Sequence, residues 1–361
     1  MSLGFFTILR AQYKNLPISL KKEDCAGKTY VVTGSNTGLG FECVKHLASM
    51  GAGQIIMGVR NTSSGEKAKA TIESQTGCSK SVIQVWHMDL SKLETVKSFV
   101  DKIKGLDRVD GIVENAAVAM GEWVVPNKKD GLEMSVAVNV IGTIYMAVLL
   151  IPFLREMGKQ HGVVVPITII GSIVALSPEA KSCYDKLVSG NILEDVADQA
   201  KWEPLFHHFY PFSKFLLYMF LRELTNRTPV TESGVIVNFV NPGICSTELD
   251  RNAHGPVGRQ VKMARMIMGR TAEMGSRTLL HGLAAGSESH GKVLSECEIK
   301  DYFVPDWMKD GKALAMGNRI WEEVSAKLEQ LDPGCMEAVV NFKGPLDDNA
   351  ANLTTSDGVL I

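Results

Sequence analysis

The chain has 361 residues, of which 45% are hydrophobic, and its formal net charge is -2 at pH 7. A chain of this length can bury a large core, and its nearly neutral charge argues against nucleic acid and acidic surfaces as partners. The seven cysteines form no C-x-x-C pair and are odd in number, which argues against a disulfide framework and predicts a reducing compartment, the cytoplasm.

An N-terminal extension, residues 1–26, comes first and lacks a strong apolar period. Its apolar run is short and follows no basic region, so we do not expect an export signal there. A peripheral membrane contact is left open, since four apolar side chains lie close together in this run: Phe5, Phe6, Ile8 and Leu9.

Residues 27–300 alternate short β-branched runs with longer helical segments. This alternation predicts an α/β fold with a doubly wound parallel sheet, the Rossmann fold, in a single domain. Strands are predicted in TYVVTG, QIIMGVR, VIQVWHM, DGIVENAA, GVVVPITIIGS and GVIVNFVNPG, and near 291–295. Helices are predicted over 38–50, 64–75, 92–104, 130–154 and 271–285, and a further helix begins near Tyr210.

The most apolar stretch, residues 140–154, is too short to span a bilayer, so it predicts a buried helix and no transmembrane segment. After the predicted domain come a C-terminal helical segment, 301–342, and a polar, turn-rich tail, 343–361. The composition of the tail predicts that it is flexible.

The first predicted strand leads into TGSNTGLG, residues 33–40, and a helix follows at once. Glycines at these spacings permit a tight turn and let a pyrophosphate approach N–H groups at the helix N-terminus. The strand before and the helix after distinguish this loop from an ordinary glycine-rich turn. The sequence therefore predicts a nucleotide site whose contact residues are Gly34, Ser35, Asn36, Thr37, Gly38, Leu39 and Gly40.

Residues after the next two strands bear on the choice of cofactor. Arg60 stands where an NAD-preferring site usually carries an acid, and a guanidinium can bind the 2′-phosphate of NADP, although a solvated arginine is the alternative. Asp89, followed by Leu90, could accept a hydrogen bond from the adenine amino group. It could also cap the helix that begins near Lys92, and the two roles are compatible.

The stretch FYPFSKF, residues 209–215, sets Tyr210 and Lys214 four residues apart, on one face of a helix. Pro211 marks the first turn of that helix. Because proline disfavours helical geometry for the preceding residue, we expect Tyr210 at the helix entrance rather than inside it. An ammonium beside a tyrosine favours the phenolate, so the pair suits proton transfer.

In chain order, the segments TGSNTGLG, ENAA, IIGS, YPFSK and NPGICSTEL resemble the motifs of the short-chain dehydrogenase/reductase family. Within that family the chain is similar to the retinol-dehydrogenase-like branch, especially fungal members found in secondary-metabolite pathways. The resemblance implies Tyr210 as proton donor to a carbonyl and Lys214 as its cation and ribose ligand. It implies Ser172 as a hydrogen-bond donor to the substrate and Asn139 as the holder of a relay water. Ser172 could instead cap a turn, and Asn139 could be a buried structural link.

The resemblance also implies further cofactor contacts, after the fourth and sixth strands: Asn115, Ala116, Ala117, Pro242, Gly243, Ile244 and Thr247. Ala117 departs from the family pattern, where glycine is usual, and would cost about 1 kcal/mol or more if a glycine conformation is needed there. A second departure is a long insertion, 173–209, which we expect to wall the substrate pocket together with a lid, 248–270.

The lid contains Met263, Met266 and Met268, whose flexible thioethers suit a bulky apolar ligand unless they only pack under a helix.

The expected activity is NADPH-dependent hydride transfer to or from an apolar ketone, aldehyde or secondary alcohol, such as a polyketide or terpenoid intermediate. An isomerase, dehydratase or cyclase of the same fold and a non-enzymatic NADP-binding redox sensor remain alternatives. The family resemblance suggests a homodimer or homotetramer. No metal site is predicted, because His207 and His208 lack partners at ligand spacing.

Overall fold

The computed structural model describes residues 11–187, 190–247, 249 and 268–342, and its centre is one eight-stranded sheet. The strands are β1 (Thr29–Thr33), β2 (Gln54–Val59), β3 (Ile83–His87), β4 (Gly111–Glu114), β5 (Val165–Ile170), β6 (Val235–Asn241), β7 (Val293–Ser295) and β8 (Glu298–Ile299). Their order in the sheet is β3-β2-β1-β4-β5-β6-β7-β8. Strands β1 to β7 run parallel, and β8 returns antiparallel to β7.

The predicted doubly wound α/β fold is confirmed, and the direction of winding reverses between β1 and β4. In such sheets a ligand crevice forms outside the carboxyl ends of the strands at the reversal. The helices are α1 (Lys22–Cys25), α2 (Gly38–Ser49), α3 (Thr62–Thr76), α4 (Leu93–Ile103), α5 (Met134–His161), α6 (Pro178–Tyr184), α7 (Ile192–Asp195), α8 (Gln199–Trp202), α9 (Phe209–Arg227), α10 (Val230–Ser233), α11 (Ala272–Ala284), α12 (Gly311–Leu331) and α13 (Cys335–Val340).

Both faces of the sheet are covered, which explains why the strands read as continuous β-branched runs. Successive residues of a strand point to opposite faces, so Val31 enters one hydrophobic cluster and Val32 the other. Helices α4, α5 and α9 pack on the first face, and α2, α3 and α11 pack on the second. Helix α12 lies against α9, where the rings of Phe220 and Trp321 stack at 4.9 Å.

Helix α5 is 28 residues long, and 83% of its most apolar window is buried inside the protein. By length and composition this helix could cross a bilayer, so the estimate that the apolar stretch 140–154 is too short was wrong for the helix that contains it. The prediction of a buried helix is confirmed. Residues 137–142 form a π turn within it. The Thr143 hydroxyl donates to the Val138 carbonyl at 3.0 Å, which gives this irregular turn an extra partner.

The insertion 173–209 contains α6, α7, α8 and two 3-10 turns, Ile173–Leu176 and Glu203–His208. The expected tail, 343–361, lies outside the described residues, as do Phe5, Phe6, Ile8 and Leu9. Most of the expected lid, including Met263 and Met266, also lies outside them.

Candidate active site

The glycine-rich loop, residues 34–40, joins β1 to α2 at the carboxyl edge of the sheet. Gly34 and Gly38 each have a left-handed backbone with φ of 62°, which favours glycine. A Cβ added at Gly40 would lie 2.5 Å from Nδ2 of Asn115, so the start of α2 has no room for a larger residue. Since the first N–H groups of a helix lack partners within it, this close-packed turn can receive a pyrophosphate.

Hydrogen bonds tie the glycine-rich loop to the end of β4. The Asn115 side chain donates to the carbonyls of Thr33, at 3.0 Å, and Gly34, at 3.1 Å. The Thr33 hydroxyl accepts from the N–H groups of Asn115 and Ala116. Sequence reasoning missed Thr33, although it begins the motif TGSNTGLG. The buried Ser35 hydroxyl donates to a β1 carbonyl at 2.9 Å, so this side chain supports the loop.

The strain considered for Ala117 is absent. Among the described residues, only Glu296 and Cys297 combine a side chain with a positive φ. Ala117 therefore lies in a backbone region that alanine adopts freely, and the expected cost of about 1 kcal/mol or more does not arise.

Arg60 and Asp89 lie after β2 and β3, at the same edge of the sheet. Arg60 is exposed and directly precedes Asn61, whose side chain caps α3. The Asp89 carboxylate accepts from the N–H of Ser91 at 3.0 Å and from its hydroxyl at 2.7 Å. The N-cap residue of α4 is Lys92, and no side chain caps this end, so the proposed capping role of Asp89 was wrong. Leu90, which follows, is buried.

Lys214 anchors the predicted catalytic group. Its side chain is only 1% exposed, and Nζ donates to the carbonyl of Ile170, the last residue of β5, at 2.8 Å. Burial lowers the pKa of Lys214 to about 7. Helix α9 begins at Phe209, so the half-buried Tyr210 lies inside the first turn, not at the entrance before it. The four-residue spacing still places Tyr210 on the same helix face as Lys214.

Ser172 lies two residues beyond Ile170, after the end of β5. Its hydroxyl accepts from the N–H of Val174 at 3.4 Å, which is the turn-capping alternative, although the bond is long. Asn241, at the end of β6, fixes this turn more firmly, because its Oδ1 accepts from the N–H of Ile173 at 3.0 Å. Sequence reasoning missed Asn241, which stands directly before the proline-glycine pair.

Asn139 lies fully buried in the π turn of α5. Its Oδ1 accepts from the Val118 N–H at 2.9 Å, and its Nδ2 donates to the Val118 carbonyl at 2.9 Å and to the Ser213 hydroxyl at 3.0 Å. Ser213 in turn donates to the Tyr210 carbonyl at 2.9 Å. Both the oxygen and the nitrogen of the Asn139 amide therefore bond to protein groups, as the structural-link alternative expects. Through Ser213, these bonds connect Asn139 to the helical turn that carries Tyr210.

The proline-glycine loop, residues 242–247, follows β6 at the carboxyl edge of the sheet. Gly243 has a φ of 79°, and a Cβ added at Gly38 would lie 3.4 Å from the Thr247 side chain. This loop therefore contacts the glycine-rich loop. Ile244 contacts two residues that sequence reasoning missed, Gln12 and Arg270.

No group of three or more His, Cys, Asp or Glu side chains suited to a metal ion occurs within the part of the chain that the structure describes. Nδ1 of His208 lies 3.2 Å from the Ser182 hydroxyl. The ring of His207 packs against the ring of His208.

Comparison with known proteins identifies relatives over most of the chain. The family model "short chain dehydrogenase" matches residues 28–184. The short chain dehydrogenase/reductase dmxR8 of Cryptosporiopsis sp. is 34% identical over 326 residues, which cover 89% of this chain and 96% of that protein. The short-chain dehydrogenase/reductase phmF of Phaeosphaeria nodorum is 32% identical over 329 residues, which cover 90% of this chain and 93% of that protein.

Solved structures share the fold at lower identity. L-sorbose reductase from Gluconobacter frateurii, complexed with NADPH and L-sorbose, is 19% identical with a TM-score of 0.53, covering 74% of this chain and 94% of that chain. Levodione reductase is 15% identical with a TM-score of 0.54, covering 75% and 96%. At these identities the likeness shows the fold alone.

Proposed function

Because the chain belongs to the short-chain dehydrogenase/reductase family, we propose that it is an NADPH-dependent carbonyl reductase acting on a bulky apolar ketone or aldehyde. One arrangement carries the proposal. The buried Lys214 ammonium is held on the carboxyl end of β5, one helical turn from Tyr210 and beside the turn that Ser172 begins. Oxidation of a secondary alcohol would use the same groups, but cells keep the NADP pool reduced, which favours reduction.

The residues at the crevice fit NADP(H). A Cβ added at Gly34 would lie 2.8 Å from the Ala116 backbone, so the glycine-rich loop packs directly against the loop after β4 and keeps the tight turn that a pyrophosphate site needs. Arg60 is exposed and makes no hydrogen bond or ion pair to the described residues, so it suits a 2′-phosphate. In this proposal Asp89 would contact the adenine, and residues 242–247 would contact the nicotinamide end.

The chain's own residues would handle the proton, while the bound cofactor supplies the hydride. Tyr210 would donate its phenolic proton to the carbonyl oxygen, and the Lys214 ammonium would stabilise the phenolate that remains. Because burial lowers the pKa of Lys214 to about 7, this lysine can also exchange a proton near neutral pH. The Ser172 hydroxyl only accepts in its capping contact, so its hydrogen can be donated to the same carbonyl oxygen.

Aromatic side chains beside Tyr210 support an apolar substrate. The half-buried rings of Trp123, from the loop after β4, and Phe206, from the insertion, lie 5.2 and 5.9 Å from the ring of Phe209. These rings can pack against a bulky carbonyl compound. The resemblance to fungal members of the retinol-dehydrogenase-like branch is the basis for proposing a polyketide or terpenoid intermediate of secondary metabolism.

NADPH consumption, with NADH in parallel, across a panel of bulky apolar ketones and aldehydes tests the proposal. We expect turnover with NADPH that falls by at least about a thousandfold in Tyr210→Phe, because the proton donor is lost. Binding of NADPH to the same variant, followed by fluorescence, should stay within a few-fold of the unchanged protein. Binding without consumption of either cofactor would reject the reductase and favour the isomerase or sensor alternatives.

We also propose a cytoplasmic location and a homodimer or homotetramer. The odd number of cysteines and the lack of a C-x-x-C pair support a reducing compartment. Size-exclusion chromatography with light scattering measures the oligomeric state, and a monomer at micromolar concentration would contradict the second proposal.

A further inference from the structure

Residues 11–20 of the N-terminal extension lie along α11 and reach the proline-glycine loop. It precedes the region that the family model matches, 28–184. Leu16 is buried, and its carbonyl accepts from Arg277 of α11 at 2.5 Å. Ser19 contacts the His281 ring at 3.2 Å, farther along the same helix. The segment is thus attached along its length and ends beside the crevice.

Gln12 bonds to both backbone groups of one loop residue. Its Oε1 accepts from the Ile244 N–H at 3.1 Å, and its Nε2 donates to the Ile244 carbonyl. Gln12 is only 6% exposed, so these bonds form out of water. A carboxamide that offers a donor and an acceptor side by side replaces the partner that a neighbouring strand would provide.

Arg270 fixes the same loop from its other side. Its guanidinium donates to the Gln12 carbonyl at 3.1 Å, to the Pro242 carbonyl at 3.1 Å, and to the Ala11 carbonyl. Its backbone N–H donates to the Ile244 carbonyl at 2.8 Å. Arg270 therefore joins the N-terminal segment to Pro242 through its buried side chain and to Ile244 through its backbone.

Gly243 makes this arrangement specific. A Cβ there would lie 2.6 Å from Nη1 of Arg270 and 2.9 Å from Oε1 of Gln12. The backbone of the loop thus fits directly against the two side chains. The φ of 79° at Gly243 is also accessible mainly to glycine, so both the backbone conformation and the lack of space exclude a larger residue here.

We propose that Gln12, seated by Arg270, is a positioning residue that sets residues 242–247 for the nicotinamide end of NADP(H). The inference rests on the proposed function, because it assigns that loop to the cofactor. It makes the N-terminal extension a part of the cofactor site. Gln12 makes no hydrogen bond to the described residues of the glycine-rich loop or to Arg60, which would hold the adenosine end, so the main effect is expected at the nicotinamide end of the ligand.

The experiment compares the affinities for NADPH and for 2′,5′-ADP, which lacks the nicotinamide, by fluorescence and calorimetric titration. Gln12→Ala removes the carboxamide, and Gln12→Met removes it while keeping the length and apolar volume of the side chain. Ser19→Ala, which loses a hydrogen bond of the same segment far from the loop, is the matched control. Thermal unfolding of each protein shows whether it is folded.

We expect both Gln12 variants to bind NADPH about tenfold more weakly, because two buried hydrogen bonds that fix the loop are lost. Binding of 2′,5′-ADP should not change, and Ser19→Ala should bind both ligands normally. Unchanged NADPH binding in the Gln12 variants, or parallel weakening of both ligands, would overturn the inference. Failure of the unchanged protein to bind either ligand would instead reject the proposed function.

Discussion

Glu114, the last residue of β4, places a carboxyl group in the core. It is 3% exposed, and neither side-chain oxygen has a hydrogen-bond partner among the described residues. Burial therefore raises the pKa of Glu114 well above its usual value. The folded protein holds this group protonated at pH values where the unfolded chain, with an ordinary glutamate, has released the proton.

The sign of the effect follows from this difference in bound protons. Between the unfolded pKa of about 4.3 and the raised folded pKa, the folded state binds one more proton, so stability falls as the pH rises. The slope from one such group is about 1.4 kcal/mol per pH unit. Glu114→Gln has nearly the same shape and does not ionise, so it removes this slope. We expect the variant to gain stability relative to the unchanged protein between pH 6 and pH 8, by up to about that slope for each pH unit below the raised pKa.

Urea unfolding of both proteins at pH 6 and pH 8 measures this gain. Glu133, whose pKa burial raises to about 7, is present in both proteins, so its contribution cancels in the difference. Glu66→Gln, on the exposed surface of α3, is the matched control and should show the same difference at both pH values. If Glu114→Gln also shows no change with pH, the carboxyl group is ionised or solvated in the fold, and the reasoning is refuted.

Three further substitutions test the cofactor crevice. Gly40→Ala should weaken NADPH binding at least about tenfold and lower the melting temperature, because the added Cβ would lie 2.5 Å from Nδ2 of Asn115. An NADPH affinity and a melting temperature equal to those of the unchanged protein would contradict this close packing. Ala117→Gly should lower the free energy of unfolding in urea by about 0.4–1 kcal/mol and leave NADPH affinity unchanged, whereas tighter binding would mean that the alanine is strained. Arg60→Ala should weaken NADPH binding about tenfold or more but leave NADH binding unchanged. Equal weakening of both cofactors would contradict a contact between Arg60 and the 2′-phosphate.

The order of elements was predictable because strands buried on both faces of a parallel sheet consist of continuous runs of apolar, β-branched residues. Each strand from β1 to β6 falls within a predicted run, and the helix predicted over 38–50 matches Gly38–Ser49 within one residue. The helix predicted over 130–154 extends instead from Met134 to His161. Its C-terminal boundary was missed because the sequence turns polar after Leu154, yet the helix continues there with Arg155 and Met157 buried.

The site was predictable only where it follows from motifs near strand ends. Tyr210 and Lys214 are separated by one helical turn, so their spacing alone places them on one face. Gln12 meets Ile244 across 232 positions and Arg270 meets the Gln12 carbonyl across 258, and no local pattern records such contacts. A helix cap was one of two compatible roles predicted for Asp89, but Lys92 is the N-cap residue. A carboxylate four residues before the first helical residue can instead close its own local turn, as Asp89 does with Ser91.

Four carboxamide side chains hold the loops of the crevice in place. Asn115 joins the ends of β4 and β1, Asn139 joins α5 to the loop after β4, Asn241 joins the ends of β6 and β5, and Gln12 joins the extension to the proline-glycine loop. Loops that leave a parallel sheet have no neighbouring strand to pair with, yet their buried N–H and carbonyl groups need partners. A carboxamide supplies a donor and an acceptor together, so it can replace a missing peptide group. Losing one would leave a buried backbone group unpaired, at a cost of about 1–3 kcal/mol. The position of Ser172 therefore depends on Asn241 at the end of a different strand, and the shape of the proline-glycine loop depends on a segment at the start of the chain.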